Sequence, residues 1–286
     1  MTVDLHSHST ASDGSVSPSD LARAFAAARI RIAALSDHDT VGGVPEFLAS
    51  CEEVGIIGIG AVEFSTIYRG IEVHLLGYGL PLNDERFIRF MEKHADYLHG
   101  RLDETLRKLR SFGFEVSSEE VYAKGGGNPP MPPHIIRALA DRGYITDLSK
   151  AVNFFLEYLS NTGKAWVPHE TMLEAPLNML NEVGAIPIVA HPLRFPSLDW
   201  LNNMLDMGAR GFELYYPDQN GKLFDDLVAI REKRGCLVTG GCDFHGAFAE
   251  RRIAEVSIPI EIGIELLKAI GQDYSVKIDN ATGDEK

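Results

Sequence analysis

Val3-Asp4-Leu5-His6-Ser7-His8, then Ser17-Pro18-Ser19-Asp20, then Ile30-Arg31-Ile32-Ala33-Ala34-Leu35-Ser36-Asp37-His38-Asp39: these three stretches decide the fold. The first reads as a short strand over 3–6. The second reads as a helix start, with a capping serine, a proline at the first position and an acid three residues on. Leu21, Phe25 and Ala28 follow at helical spacing. The third is an apolar strand over 30–36. A helix over 42–54 with Thr40 as its cap, a strand over 56–62 and a strand over 72–78 continue the alternation. Strands alternating with helices predict parallel strands with covered faces.

The pattern changes after Pro81. Phe87, Phe90, Met91, His94, Leu98, Leu102, Leu106 and Leu109 form a stripe at three- and four-residue steps, which predicts a helix over 84–112. Residues 124–133, rich in glycine and proline, read as a loop, and shorter helices are expected over 135–141 and 148–160. Alternation then resumes, with strands over 186–190, 212–216 and 237–242 separated by helices over 174–183, 198–207 and 222–233. The expected architecture is an α/β chain. A distorted TIM-like barrel of seven strands spans 1–80 and 165–286, interrupted by a helical insertion, or cap, over 81–164.

The chain has 286 residues, 45% of them hydrophobic, which is enough for one large core. It has no run of 18 apolar residues and no basic, apolar signal at its start, so a cytoplasmic protein that does not span a membrane is expected. Cys51, Cys236 and Cys242 are odd in number and lack metal-knot spacing, so reduced thiols are expected. The formal charge is 27 − 41 = −14. Such a surface repels long duplex DNA and anionic membranes, whereas a small phosphorylated substrate remains admissible where bound cations reverse the local field.

Six of the ten histidines fall at or near the C-terminal ends of the expected strands: His6, His8, His38, His74, His191 and His245. In α/β barrels this is the face on which active sites are built. Each motif also has a plain structural reading. His6-Ser7-His8 puts two imidazoles on one side of a strand, yet a lone pair at this spacing is a weak signal. Asp13 before Gly14 is also an ordinary turn aspartate. Asp37 and Asp39 can orient His38 or cap a helix. Glu63 closes an apolar strand, and His74, taken alone, is a core histidine. His191 and Asp243-Phe244-His245 end two later strands. The argument lies in the convergence, because separate strands deliver metal-type ligands to one end of one barrel.

In sum the pattern resembles the PHP family, named for polymerase and histidinol phosphatase. The residues that carry the resemblance are His6-Ser7-His8, Asp13, Asp37-His38-Asp39, Glu63, His74, His191-Pro192 and Asp243-Phe244-His245, which run in family order across most of the chain. Asp13 stands where some histidinol phosphatases have histidine, and Cys242 stands where many relatives have serine. The resemblance implies two or three divalent ions (Mn, Fe or Zn). His6, His8, Glu63 and Asp243 would hold the first. Asp13, His38 and His191 would hold the second, and Glu63, His74 and His245 a third. Asp243, His191 and His245 are the expected catalytic ligands. The expected reaction is hydrolysis of a P–O bond by a hydroxide shared between cations.

Arg194, three residues beyond His191, is the leading phosphate-binding candidate, since a guanidinium matches phosphate oxygens in pairs. Arg137, His134 and Lys164 are further substrate-binding candidates. Trp166, Tyr215 and Tyr216 could stack a base, while His94, His99 and His169 read as structural or solvated. The expected substrate is nucleotide-like, a 3′,5′-bisphosphate or a cyclic phosphate ester. Competing readings are an exonuclease on short oligonucleotides, a histidinol-phosphate-type phosphatase, an amidohydrolase and a non-catalytic metal-stabilised binding domain. Oligomeric state is not legible in the sequence.

Overall fold

The structure, a computed structural model, describes residues 2–126, 128–160, 162–168, 170–217, 221–248 and 251–272. Seven strands form one sheet in chain order: β1 Thr2–Asp4, β2 Ile30–Leu35, β3 Ile57–Tyr68, β4 Ile71–Tyr78, β5 Ile186–Val189, β6 Gly211–Tyr215 and β7 Leu237–Gly240. Backbone hydrogen bonds from Leu5 to Gly240 (2.9 Å), Asp243 to His6 (3.0 Å) and His8 to Phe244 (2.9 Å) join the last strand to the first and close the barrel. Gly241 permits this seam: a Cβ there would lie 2.4 Å from the His6 backbone nitrogen.

Two expectations fail here, the larger at β3. β3 does not end at Val62; it continues to Tyr68 and pairs antiparallel with β4, which in turn pairs antiparallel with β5. The sheet is therefore mixed. A tight turn causes the reversal, with Arg69 and Gly70 both at positive φ (51° and 78°), the geometry of a two-residue hairpin loop. Glu63 consequently sits inside a long strand and does not close a short one. Thr40 is not a helix cap either: α2 (Val44–Glu53) has Gly43 at its N-cap, and the Thr40 hydroxyl accepts from the Gly42 amide in the preceding turn.

α1 (Pro18–Ala27) starts as its sequence dictates, with Ser17 Oγ accepting from the Asp20 amide and Pro18 in the first turn. Leu21, Phe25, Phe47 and Leu35 pack α1 and α2 onto β2. The main core lies between the strands and α7 (Glu174–Glu182), α8 (Leu198–Asp206), α9 (Gly221–Arg234) and α10 (Ile260–Ala269), a helix the sequence reading passed over.

Between β4 and β5 the chain makes a helical excursion. α3 (Glu85–Ser111) is 27 residues long. Phe87, Phe90 and Met91 near its start join the barrel core. Leu102, Leu106 and Leu109 near its end join a separate core with Val121, Ile135, Leu139 and Phe154. That second core gathers α4 (Ser118–Gly125), α5 (Pro132–Asp141) and α6 (Leu148–Phe154), which ends in a π-helical turn, Phe155–Leu159. α4 was not expected. Its signature is the reciprocal capping pair Ser117 and Glu120, with hydrogen bonds of 3.3 and 2.8 Å. Among the described residues no helix is long and apolar enough to cross a membrane.

Candidate metal centre

Glu63 is the hub. Its position in β3 points the carboxylate into the barrel mouth, where the side chain is fully buried. One oxygen lies 3.0 Å from His6 Nε2, 3.2 Å from His8 Nε2 and 3.4 Å from His38 Nε2. The other lies 2.9 Å from His74 Nδ1 and 3.1 Å from His191 Nε2. Burial alone would raise the Glu63 pKa, but the imidazoles, His6 foremost, hold it well below the usual carboxylate range. Asp243 behaves alike: burial opposes the charge, and His6, His8 and His245 keep it ionised. His191 goes the other way. Burial, aided by Arg194 and His74, pushes its pKa down to about 3 and leaves a neutral ring.

This arrangement is incomplete as protein alone. His6 Nε2 and His8 Nε2 are 3.1 Å apart, and both face the same carboxylates. If both were protonated, like charges would meet in a buried site; if both were neutral with Nε2 bare, two lone pairs would. A divalent cation relieves the conflict, since imidazole lone pairs and carboxylate oxygens are its ligands. Among the described residues three groups have donor atoms close enough to share an ion: His6, His8, Glu63 and Asp243; His8, Asp13, His38 and His245; and His38, Glu63 and His74.

The first group gathers the residues expected together. The second differs from the expectation: His245, and not His191, reaches Asp13, at 3.2 Å. His191 instead lies beside Glu63 and faces His74, with ring centroids 5.0 Å apart. Chain order cannot reveal such an exchange, because both residues follow strand ends. Asp39, His191 and Asp243 all have positive φ (55°, 29° and 51°), strain that the surrounding contacts hold in place.

Outer carboxylates orient the rings. Glu213, fully buried in β6, bonds His6 Nδ1 at 3.0 Å and accepts from the His191 amide at 2.8 Å. A carboxylate accepts only, so Nδ1 carries the proton and His6 Nε2 presents its lone pair to the centre. The sequence reading missed Glu213. Its signal was a lone charge inside the apolar run Phe212-Glu213-Leu214. Glu72, also missed, lies 3.3 Å from His74 Nε2. Asp37 accepts from Ser9 Oγ (2.7 Å) and Ser12 Oγ (2.5 Å), shaping the loop that bears Asp13. Cys242 is buried, and its amide donates to Asp4 Oδ1 at 3.1 Å.

The substrate-binding candidates divide. Arg194 Nη2 donates to the Tyr216 hydroxyl at 2.8 Å and lies 3.5 Å from Asp243 Oδ2. Tyr216 in turn donates to Asp243 at 2.6 Å, so its polar end serves the centre. Tyr215 packs on Phe224, centroids 5.9 Å apart, and Trp166 lies under Arg101. Arg137 Nη2 donates to the Gly14 carbonyl at 2.6 Å. His134 is fully buried, and its Nδ1 accepts from the Met131 amide at 3.1 Å. Lys164 is half exposed and paired with Glu157. His94 is structural, bound to Asp39 at 2.7 Å, and His99 bonds Tyr122 at 3.1 Å. His169 falls outside the described residues.

Buried histidines and carboxylates gathered at one mouth of an α/β barrel define a metal-dependent hydrolase. The chain belongs to the PHP family, whose PHP domain matches residues 4–162. It is 31% identical to a 5′-3′ exoribonuclease of Haemophilus influenzae over 85% of this chain and 89% of that one. It is 28% identical to a phosphoribosyl 1,2-cyclic phosphate 1,2-diphosphodiesterase of Eggerthella lenta (87% and 95%). It is 26% identical to a 3′,5′-nucleoside bisphosphate phosphatase of Chromobacterium violaceum (85% and 87%). A solved structure from Bifidobacterium adolescentis, provisionally named a metal-dependent phosphoesterase, shares the fold with a TM-score of 0.83 at 22% identity, covering 96% of this chain and 97% of that one. Family and site together make this chain a metal-dependent phosphoester hydrolase.

Proposed function

We propose that the chain hydrolyses a phosphate ester on a small nucleotide that carries a second phosphate, a 3′,5′-bisphosphate ahead of a cyclic phosphate. The observation that carries this reading is the guanidinium of Arg194 at the edge of the ligand cluster, 3.5 Å from Asp243. Half of the Arg194 side chain is solvent-exposed (51%), so its fork can take phosphate oxygens in pairs. The acidic surface, net −14, favours a short substrate over a long polyanion.

His6, His8, Glu63 and Asp243 would hold one cation, and Asp13, His38 and His245 another. Glu63 and His74 would hold a third, with His38 or His191. Bound divalent ions supply Lewis acidity at phosphorus and activate water near neutral pH. The protein's own part is to fix ring orientation through Glu213, to keep Glu63 and Asp243 ionised, and to place Arg194 against the phosphoryl group. Asp243, His191 and His245 are the ligands assigned to contact the reacting group.

A second reading, stepwise removal of nucleotides from a short RNA, is favoured by the 31% identity to the Haemophilus exoribonuclease. Phosphate and nucleotide release from a panel tests both: nucleoside 3′,5′-bisphosphates, cyclic phosphates, 5′-phosphorylated oligoribonucleotides and histidinol phosphate. Fastest turnover of the bisphosphate supports the first reading. Faster release from oligoribonucleotides replaces it with the second.

A further inference from the structure

We infer that the helical excursion between β4 and β5 is a clamp on one half of the metal centre, acting through His94 and Arg137 as positioning residues. The inference rests on reading the site as a metal centre and not on the identity of the substrate.

Three contacts carry it, and each ends on a loop that bears a ligand of the Asp13–His38 half. From α3, His94 Nε2 bonds Asp39 Oδ1 at 2.7 Å, with both side chains buried. The same oxygen accepts from the Ser65 amide at 3.0 Å, and the Asp39 amide donates to the Glu63 carbonyl at 2.9 Å. Asp39 thus ties the residue after His38 to β3, and His94 holds Asp39. The His94 ring is itself fixed, edge-on to Phe64 and stacked on Phe90 at centroid distances of 5.6 and 6.3 Å. From α5, Arg137 donates to the carbonyl of Gly14, the residue after Asp13, at 2.6 Å. From the loop between α4 and α5, Asn128 Oδ1 accepts from Thr40 Oγ1 at 3.2 Å.

The opposite half is held by the barrel itself, through Glu213 in β6 and through Tyr216 just past its end. A buried hydrogen-bonded pair reaching a ligand-bearing loop does for an ion what an outer partner does for a ligand: it keeps the donor atoms at their spacing before the ion arrives. The excursion is therefore part of the centre's framework.

Mn²⁺ titration of chelator-treated full-length protein, with bound metal counted after gel filtration, tests this in His94→Phe and Arg137→Met. Asp13→Asn serves as the reference for the clamped half and Glu213→Gln for the barrel-held half. The expected result is a loss of Mn²⁺ affinity of about 10- to 100-fold confined to one class of ion, matching Asp13→Asn, and in His94→Phe an unchanged KM for the ester at saturating Mn²⁺. Arg137→Lys, which keeps a donor, should recover most of the affinity. Thermal melts check that each variant folds; if His94→Phe does not fold, Arg137→Met against Arg137→Lys decides. Unchanged Mn²⁺ uptake, a deficit that follows Glu213→Gln, or equal weakening of every ion overturns the clamp. Wild-type protein that takes up no ion overturns the clamp together with the metal reading. Wild-type protein that binds ions but cleaves no ester removes the substrate proposal alone.

Discussion

The two halves of the centre are anchored differently. His6, His191 and Asp243 are braced by strand residues and their immediate neighbours, Glu213 and Tyr216, which are buried within the barrel. Asp13 and His38 sit on loops that, beside bonds to β3 and between Ser9 and Asp37, are contacted by helices 55 to 123 residues away in sequence. A β-barrel edge is rigid because its backbone hydrogen bonds fix each side chain's direction. The loops after β1 and β2 have fewer such bonds, chiefly those of Asp37 and Asp39 to Glu63, and take further support from the helices. One cluster of candidate ligands thus has two kinds of mechanical support, which mutations can address separately.

The largest effect is expected at the ligands of the first group. Asp243→Ala or His6→Ala should lower kcat more than about 100-fold, since loss of even an outer partner commonly costs 10- to 100-fold. Metal content on the same protein should fall with it; wild-type content and rate would place the centre elsewhere. Next comes Glu213→Gln. An amide has one acceptor oxygen where the carboxylate serves both the His6 ring and the His191 amide, so metal affinity should drop about 10- to 100-fold. An unaltered Mn²⁺ isotherm would show that β6 does not brace this half.

Arg194→Ala should raise KM about 10-fold, the loss of charge-assisted hydrogen bonds, and leave metal content alone. A fall in kcat with KM constant would move Arg194 from binding to transition-state contact.

The smallest effect is a proton count. In the metal-free protein, burial opposes charge on His8 and His74. Asp243 and Glu63 outweigh it at His8, and Glu63 and Glu72 at His74, raising both pKa values to about 10. Their protonated forms stabilise the metal-free fold fully below the ordinary histidine pKa, and that contribution fades as pH rises towards 10. Metal binding near pH 8 should therefore expel roughly one to two protons per chain, read by calorimetry in buffers of different ionisation enthalpy. No proton release would contradict the assigned contacts.

Much of the barrel was legible, because apolar runs and capping signals such as Ser17-Pro18 report local structure directly. The hairpin was not, because Arg69-Gly70 lacks the Asn-Gly or Asp-Gly pair that usually marks such a turn. The residues that gather in the cluster were legible from their strand-end positions. Their grouping was not: whether His191 or His245 meets Asp13 depends on barrel curvature, which spacing along the chain does not encode. Glu213 escaped because one acid in a strand was weighed less than the histidines around it.

The amides of Leu5, His8 and Asp243 close the barrel, and His6, His8, Asp243 and His245 lie along the same line. Ions bound there would rivet the first strand to the last. Chelation should then unzip those amides first, so their hydrogen exchange with solvent would accelerate well before the helices of the outer ring lose protection.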